Sequence, residues 1–367
     1  MKIAFDYQIF CQQSFGGISR YYKNLTDQLI HLDQNTAIFA GFHRNNYLTT
    51  LPKGVVNGYR LNKYPPKTGK LFNLANHYLT EYQIKSWHPQ IIHETYYSKF
   101  SYSSKYAPRV VTAYDMIHEL FPKEFNKNDS ITQRKLQSFI RADHIISISH
   151  NTKRDLIELF GIPSEKITVV YLAPEKPLSI TNSDLYNVNS KPFLLYVGPR
   201  SGYKNFFGLL DAYSNSLRLM NEFDIVAFGG GNFTTKELSI ISHLGLNESQ
   251  VKQVGGNDSV LVSLYKEASA FVYPSLYEGF GIPPLEAMTY KCPVVSSNIS
   301  SMPEVIGNAG EYFDPKEPES IKTAIENVVF SDSRIVYLKD MGSERLKMFS
   351  WKSCAEETLE IYKNIVG

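Results

Sequence analysis

Short apolar runs alternate with amphipathic stretches along the whole chain. Such alternation is typical of parallel sheets whose strands are joined by crossover helices. In the first half the pattern predicts strands over residues 2–6, 37–41, 91–94, 110–114, 144–149 and 168–171. We therefore predict a first α/β domain over residues 1–175.

The pattern breaks over residues 176–192, which we interpret as a linker because prolines and polar residues replace any clear periodicity. A second set of strands follows, over residues 193–197, 224–228, 251–254, 270–273 and 293–297, and a last helix is predicted over 350–365. The second domain thus covers residues 193–349. Two doubly wound sheets facing each other would form a central cleft at the carboxyl ends of their strands, where such folds bind ligands.

Length and composition agree with two domains. A single core stops growing at about 250–300 residues, and this chain has 367. Its three cysteines lie far apart, which argues against a zinc site or a disulfide framework and fits a reducing cytoplasm. The first residues lack a secretory pattern, and no apolar run approaches the ~18 residues of a membrane span.

The net charge of +2 conceals an asymmetry between the two halves. Residues 1–180 contain 22 Lys and Arg against 14 Asp and Glu, a net charge of +8. The remainder has 16 basic and 22 acidic residues, a net charge of −6. A basic first half attracts phosphates or an anionic lipid surface, although chance variation of a solvated surface explains the difference equally well.

The most specific motif is the segment YPSLYEGFGIPPLEAM, which begins at Tyr273. It predicts a buried strand, a loop with two glycines, and a helix that starts near its two prolines. Gly281 lets the backbone approach a ligand closely, and the free N–H groups of the helix start can hold an anion or sugar hydroxyls. Glu278 and Glu286, with seven residues between them, would both face the cleft. Alternatively, Glu278 caps a helix and Glu286 is solvated.

This segment resembles the Glu-x7-Glu signature of glycosyltransferase family 4, whose members are retaining enzymes of GT-B fold. The likeness extends to residues 193–205, 254–255, 292–297, 302–305, 313–315 and 349–351. It implies two Rossmann-like domains and a C-terminal helix that crosses back to the first. It also implies that Glu278 faces the transferred sugar and Glu286 holds the ribose hydroxyls. The predicted donor site further includes Gly198, Phe280, Gly281 and Ile282.

Two cations follow the first strand of the second domain, Arg200 and Lys204. At a helix start they suit a diphosphate and would stabilise the leaving nucleotide. The alternative is a pair of exposed cations on a helix surface.

Two further candidates lie in the first domain. Gly16 and Gly17 precede an amphipathic helix and can present backbone amides to a phosphate. They resemble the family's glycine loop. The alternative is an ordinary loop. Asp115 and His118 follow another predicted strand, and either can touch the donor sugar or the acceptor. Many family members have His-Asp where this chain has Tyr114 and Asp115, so a capping Asp115 and a core His118 remain the alternative.

The chain contains neither an Asp-x-Asp triplet nor a Gly-x-Gly-x-x-Gly motif. The sequence therefore predicts no metal ion and no cofactor, and it disfavours a dinucleotide-binding loop.

Lysines and aromatic residues intermingle between residues 59 and 106, a composition typical of a membrane-surface patch or, alternatively, of aromatic core packing. Nucleic acid is not a predicted partner, because no binding motif accompanies the charge.

These observations predict a retaining glycosyltransferase that moves a sugar from a nucleotide-diphosphate donor to a glycan or lipid-linked acceptor. The pattern Arg-x-x-Tyr-Lys-Asn resembles mannosyltransferase-like members that build bacterial surface polysaccharides, which favours a GDP-mannose-like donor. The expected location is the cytoplasm, with peripheral contact at the inner face of the cell membrane. Two rival hypotheses are a non-catalytic sugar-nucleotide-binding partner and an NAD-dependent oxidoreductase with paired Rossmann-like domains.

Overall fold

The computed structural model describes residues 1–100, 102, 107–126, 129–175, 177–178, 191–200 and 202–367. The chain divides into two compact units. Unit 1 comprises residues 1–172 and 350–367, and unit 2 comprises residues 173–349. Most of the predicted linker lies outside the described residues.

Unit 1 is built on a seven-stranded parallel sheet in the order β3-β2-β1-β4-β5-β6-β7. Its strands are β1 (Lys2–Phe5), β2 (Asn35–His43), β3 (Val56–Arg60), β4 (Ile91–Glu94), β5 (Arg109–Ala113), β6 (His144–Ser147) and β7 (Ile167–Val169). Its helices are α1 (Gln8–Gln12), α2 (Gly17–His31), α3 (Gly69–Trp87), α4 (Ile117–Leu120), α5 (Ile131–Arg141) and α6 (His150–Phe160). The strand order reverses between β1 and β4.

Unit 2 contains a second parallel sheet, of six strands, in the order β10-β9-β8-β11-β12-β13. The strands are β8 (Phe193–Val197), β9 (Asp224–Phe228), β10 (Val251–Val254), β11 (Ala270–Tyr273), β12 (Val294–Ser297) and β13 (Gly310–Phe313). The helices are α7 (Phe206–Ser214), α8 (Leu217–Glu222), α9 (Thr235–His243), α10 (Asp258–Glu267), α11 (Ile282–Thr289), α12 (Met302–Ile306), α13 (Pro318–Val329) and α14 (Asp332–Leu346).

The central strands form because their residues are apolar on both faces, as parallel sheets covered by helices require. Every residue of β11 and β12 is buried, and β8 is buried up to its last residue. In unit 2 a core of side chains from this sheet packs against α7 and α13. The strand order of unit 2 reverses between β8 and β11, and ligands of doubly wound sheets bind at such a point.

The last helix, α15 (Trp351–Val366), returns to unit 1 and packs against α2. Its buried Tyr362 bonds to His93 in β4, with 2.5 Å between the phenol oxygen and Nδ1. The predicted crossing-back helix is thus confirmed, as is the α/β fold of two parallel sheets. No helix among the described residues is both long and apolar enough to cross a membrane.

Candidate active site

The point where the strand order of unit 2 reverses carries an ion pair between two predicted site residues. Lys204 follows β8 and Glu278 follows β11, and these strands are neighbours. Lys204 Nζ lies 2.6 Å from Glu278 Oε1 and 3.5 Å from the hydroxyl of Tyr273. Both charged side chains are largely buried, so each relies on the other for compensation. Lys204 is therefore a partner of Glu278 rather than an exposed surface cation.

The backbone of Glu278 is fixed by a loop that the sequence did not single out. The Ser300 hydroxyl donates to the Glu278 carbonyl at 2.6 Å and accepts from the Glu278 N–H at 3.1 Å. The Ser301 hydroxyl contacts the carbonyls of Glu278 and Phe280 at 2.9 and 2.8 Å. Because Ser300 and Ser301 follow β12, three neighbouring strand ends, those of β8, β11 and β12, cooperate in placing one carboxylate.

Helix α11 begins at Ile282, directly after the glycine loop, and has prolines in its first turn. Gly281 has a φ of 108°, and a Cβ atom there would lie 2.5 Å from the methyl carbon of Met302, so only glycine fits. Glu286 lies in the second turn of α11, half-buried, and its Oε2 lies 3.4 Å from the Tyr265 hydroxyl. The strand, glycine loop and helix predicted for this motif are all present.

Arg200 is placed differently from Lys204, since its guanidinium is engaged within the fold. The residue is only 4% exposed. It donates to the carbonyls of Gly229, Gly231 and Asn232 at 2.7, 2.9 and 3.1 Å, and its Nε lies 2.8 Å from Glu237 Oε1. Arg200 is thus neither an exposed helix cation nor, in this geometry, available to a diphosphate. It holds the loop that follows β9.

That loop, over residues 229–232, depends on glycine. Gly229, Gly230 and Gly231 have φ values of 92°, 71° and 70°, which L side chains rarely adopt. A Cβ atom on Gly230 would lie 2.7 Å from a guanidinium nitrogen of Arg200. Gly198, at the end of β8, has a φ of 132° and lies against Gly229. Two glycine-containing loops therefore pack together beside the reversal point.

Glu237 completes the environment of Arg200. It lies in the first turn of α9 and accepts from the N–H of Thr234, whose hydroxyl accepts from the N–H of Glu237. Burial raises the pKa of Glu237, but hydrogen bonds from Arg200 and Thr234 outweigh it and hold the pKa below the usual value. Glu237 is therefore ionised at neutral pH and compensates the buried Arg200. Its sequence signal was the Thr-x-x-Glu capping box.

In unit 1, Gly16 and Gly17 lie at the start of α2. The side chain of Gln13 occupies part of this helix end, because its Oε1 accepts from the Ser19 N–H at 3.1 Å. A Cβ atom on Gly16 would lie 2.4 Å from the same oxygen, whereas Gly17 faces open space. Glycine at position 16 thus makes room for Gln13, and the predicted phosphate-facing amides are in part already bonded.

Asp115 and His118 follow β5, as predicted, but a lysine that the sequence did not single out neutralises Asp115. Lys135 Nζ, almost completely buried, lies 3.2 Å from Asp115 Oδ1 and 2.9 Å from Glu119 Oε2. Asp115 also accepts from the N–H of Ile117 near the start of α4. His118 stacks on Phe125 with 3.8 Å between ring centroids, and burial followed by the Lys135 charge lowers its pKa. Asp115 and His118 therefore both make contacts that stabilise unit 1.

Two family models match the chain along most of its length. That of "Glycosyl transferases group 1" matches residues 183–342, and that of "Glycosyltransferase Family 4" matches residues 15–173. The O-antigen chain mannosyltransferase B of Escherichia coli is 31% identical over 267 residues, which are 70% of each chain. This chain is a GT-B glycosyltransferase.

Another relative and two solved structures are similar to this glycosyltransferase, the two structures in fold. The serotype-specific mannosyltransferase WbdA of Escherichia coli is 29% identical over 246 residues, 63% of this chain and 30% of that longer protein. A glycosyltransferase structure from Rickettsia africae ESF-5 superposes with a TM-score of 0.75 at 20% identity, covering 100% and 98% of the two chains. Anabaena Alr3699/HepE, solved in complex with UDP-glucose, gives a TM-score of 0.71 at 17% identity over 99% and 100%.

The geometry of unit 2 offers the glycosyltransferase a compact set of polar groups at one strand reversal. Lys204 is a point charge with three donors, of which Glu278 occupies one at 2.6 Å. Glu286 contributes a second carboxylate, a group with about four lone-pair sites. Among the described residues no cluster of three or more His, Cys, Asp or Glu suits a metal ion.

Proposed function

We propose that this glycosyltransferase transfers a sugar from a nucleotide-diphosphate donor, with retention of anomeric configuration, to a glycan or lipid-linked acceptor in surface polysaccharide synthesis. The names of the two Escherichia coli relatives, an O-antigen chain mannosyltransferase and a serotype-specific mannosyltransferase, support this acceptor class and a mannosyl donor. The cytoplasm, with peripheral contact at the inner face of the cell membrane, is the location that we propose.

The observation that carries the proposal is the Lys204–Glu278 ion pair at the β8–β11 reversal, with Glu286 in the helix that follows. In this proposal Glu278 faces the transferred sugar and Glu286 accepts from the ribose hydroxyls. Lys204 stabilises charge on the departing diphosphate, which develops as the glycosidic bond breaks and an oxocarbenium-like sugar forms. The backbone at Gly198, Phe280, Gly281 and Ile282 lines the donor. No metal and no cofactor take part.

Arg200 enters the proposal as a residue that positions the glycine loop over 229–232, since its guanidinium bonds to that loop. In unit 1 we propose that Gly16 and Gly17 approach the diphosphate and that Asp115 or His118 lies near the acceptor. Lys135 would then orient the Asp115 side chain, because Lys135 Nζ lies 3.2 Å from Asp115 Oδ1.

The donor is best identified by binding. The relatives favour GDP-mannose, whereas the HepE complex is with UDP-glucose. We expect GDP-mannose to raise the melting temperature of the protein more than GDP alone, UDP-glucose or UDP-galactose, because GDP lacks the sugar that faces Glu278 and the two UDP-sugars differ from GDP-mannose in both base and sugar. A larger rise in melting temperature with a UDP-sugar would identify that UDP-sugar as the donor, and the proposed reaction class would remain the same.

Turnover separates an enzyme from a non-catalytic partner. Donor that carries a radiolabelled sugar is mixed with the protein and with a lipid extract or short mannosides, and product and released nucleotide diphosphate are measured together. We expect equal amounts of both, and an α-linked product from an α-linked donor by NMR. Tight donor binding without turnover on any acceptor would favour the non-catalytic hypothesis, and a β-linked product would exclude retention.

A further inference from the structure

Helix α3 of unit 1 exposes an apolar stripe that no other part of the described structure covers. Leu71, Leu74, Tyr78 and Tyr82 recur at helical spacing, so their side chains lie along one face of the helix. Leu71 is 65%, Tyr78 63% and Tyr82 71% exposed, while Leu74 is 41% exposed. Large apolar side chains in a contiguous exposed row mark an interaction surface, unlike those scattered singly.

Three other aromatic residues in or beside α3 pack within unit 1. Tyr64 and Phe72 stack on each other with 4.7 Å between ring centroids, and Trp87 packs edge-on against Phe39. The opposite face of α3 packs on β2 and buries Asn76, His77, Thr80 and Ile84. Within and beside α3, the mixture of lysines and aromatics that the sequence shows therefore contains a packed part and an unpacked stripe.

The charge around the stripe is strongly positive. Residues 61–90 contain four lysines, at positions 63, 67, 70 and 85, and one carboxylate, Glu81. All four lysines are exposed, whereas Glu81 is half-buried with its Oε2 3.9 Å from His77 Nε2. A row of leucine and tyrosine side chains bordered by lysines is the composition of a helix that lies in the interface of an anionic bilayer.

A cavity of about 610 Å³ adjoins the stripe within unit 1, and Leu74 belongs to both. Three cations, Lys70, Lys99 and Arg134, line the cavity together with aromatic side chains such as Tyr97 and Phe100, and none of its described lining residues is a carboxylate. Arg134 also forms an ion pair with Asp129, with 3.7 Å between Nη2 and Oδ1. The cavity is therefore positive, and it is continuous with the surface that carries the apolar row.

We propose that α3 docks the enzyme on an anionic lipid bilayer. Leu71, Leu74, Tyr78 and Tyr82 enter the interfacial region, and the surrounding lysines contact lipid phosphates. The cavity lined by Lys70, Lys99 and Arg134 then opens toward the headgroups. The proposal extends the peripheral membrane contact of the proposed function to a defined surface, but its test requires neither donor nor acceptor.

A second copy of the chain is a less suitable occupant of the same face. Pairing two α3 stripes would bring two sets of four lysines together with one half-buried glutamate each, and like charges at close range oppose association. An anionic bilayer compensates those charges, and tyrosine suits its interface because an apolar ring carries a polar hydroxyl.

The test measures sedimentation of the full chain with vesicles of phosphatidylcholine alone or with a quarter of phosphatidylglycerol. We expect binding to the anionic vesicles, weakened at high salt. The double substitution Tyr78→Ser and Tyr82→Ser should reduce the partition coefficient by about tenfold or more. Lys67→Gln and Lys85→Gln should each reduce it by about fivefold. Leu217→Ser, which removes a 75% exposed leucine on α8 of unit 2, is the matched control and should change nothing.

A second measurement keeps the result interpretable. A Tyr78→Trp variant should show a blue-shifted emission with anionic vesicles and quenching by brominated acyl chains, whereas Leu217→Trp should not. Equal binding of the wild type and the folded double variant would overturn the proposal, as would absence of wild-type binding to anionic vesicles. A change from dimer to monomer in the double variant, without vesicle binding, would assign the stripe to a second copy. Sugar transfer to a soluble acceptor would survive all these outcomes.

Discussion

At the scale of single residues, Glu286 is the residue whose proposed role is most directly measurable. In the proposed complex its carboxylate accepts from the ribose, and hydrogen bonds to charged groups contribute about 1.5–3 kcal/mol. Glu286→Ala should therefore weaken donor binding roughly ten- to a hundredfold by calorimetric titration. Tyr265→Phe removes the neighbouring hydroxyl, 3.4 Å from Oε2, and is the control that should retain most of the affinity. Unchanged affinity in folded Glu286→Ala would contradict the ribose contact.

Lys204 should matter more for turnover than for donor affinity, because the charge on the diphosphate grows as the sugar departs. We expect Lys204→Ala to lower the single-turnover rate by about a hundredfold or more and to change the donor dissociation constant much less. Lys252→Ala breaks another ion pair of unit 2, 2.6 Å from Asp224, and should leave the rate unchanged. If donor affinity fell as far as the rate, Lys204 would stabilise the bound donor and the transition state equally.

Arg200 should affect the fold as well as the reaction. Its removal deprives Glu237 of its cationic partner and the carbonyls of the glycine loop of their donor, and breaking such a buried network costs about 2–4 kcal/mol. Arg200→Ala should therefore lower both the melting temperature and the activity, and Arg200→Lys should rescue neither fully, since lysine lacks the planar fork. A variant with wild-type melting temperature and a large loss of rate would restore the direct diphosphate contact predicted from sequence.

At the scale of elements, the attachment of α15 to unit 1 should depend on pH. Burial lowers the pKa of His93 to about 3, so the ring that bonds to Tyr362 is neutral in the folded state. In the unfolded chain the pKa of histidine is about 6.5. Between those values the unfolded state binds more protons, so stability is fully present above about pH 6.5 and decreases as the pH falls toward 3.

Urea unfolding followed by tryptophan fluorescence measures this effect, because both tryptophans, Trp87 and Trp351, lie in unit 1. We expect the contribution of His93, taken as the difference in unfolding free energy between the wild type and His93→Gln, to fall from pH 6.5 to pH 4.5 by up to about 1.4 kcal/mol per pH unit. The pH dependence of His93→Gln should be correspondingly shallower, in a protein of lower overall stability. An equally steep dependence in the variant would assign it to other groups.

Elements with strong apolar runs could be predicted from the sequence, and weakly apolar ones could not. Predicted and observed strands coincide at 91–94, 193–197, 224–228, 251–254 and 270–273. The strands β3 and β13 were missed. β3 contains Asn57, Gly58 and Arg60 and lies exposed at a sheet edge, and β13 is a four-residue edge strand that begins with glycine. An edge strand needs only one neighbour, so its apolar signal is weak.

At the same scale, the candidate site was predictable where one continuous segment encodes it. The strand, loop and helix around Glu278 follow from local residue types, but the partners of that carboxylate come from distant loops. The contacts of Ser300 with Glu278, of Lys135 with Asp115 and of Glu237 with Arg200 form only in the tertiary structure, and a local sequence pattern does not contain that information. For the same reason the sequence predicted Arg200 beside a diphosphate and did not indicate that its guanidinium bonds to the glycine loop.

At the scale of the whole molecule, we predict that sugar transfer survives EDTA. The chain has no Asp-x-Asp triplet, and Lys204 supplies positive charge at the strand reversal of unit 2. Initial rates measured with donor and acceptor should be equal with and without the chelator, and with magnesium or manganese added afterwards. Complete loss of transfer in EDTA, restored by either metal, would show that a cation other than lysine balances the leaving group.

The return of α15 to unit 1 also determines when each half of the chain can finish folding. During synthesis, residues 1–172 emerge first, but the helix that covers α2 and bonds to His93 is made only after all of unit 2. The earlier unit in sequence is therefore the later one to be completed on the ribosome. Until then the buried surface of α2 that awaits α15 is open to chaperones, and a premature stop after residue 349 would damage unit 1 while sparing unit 2.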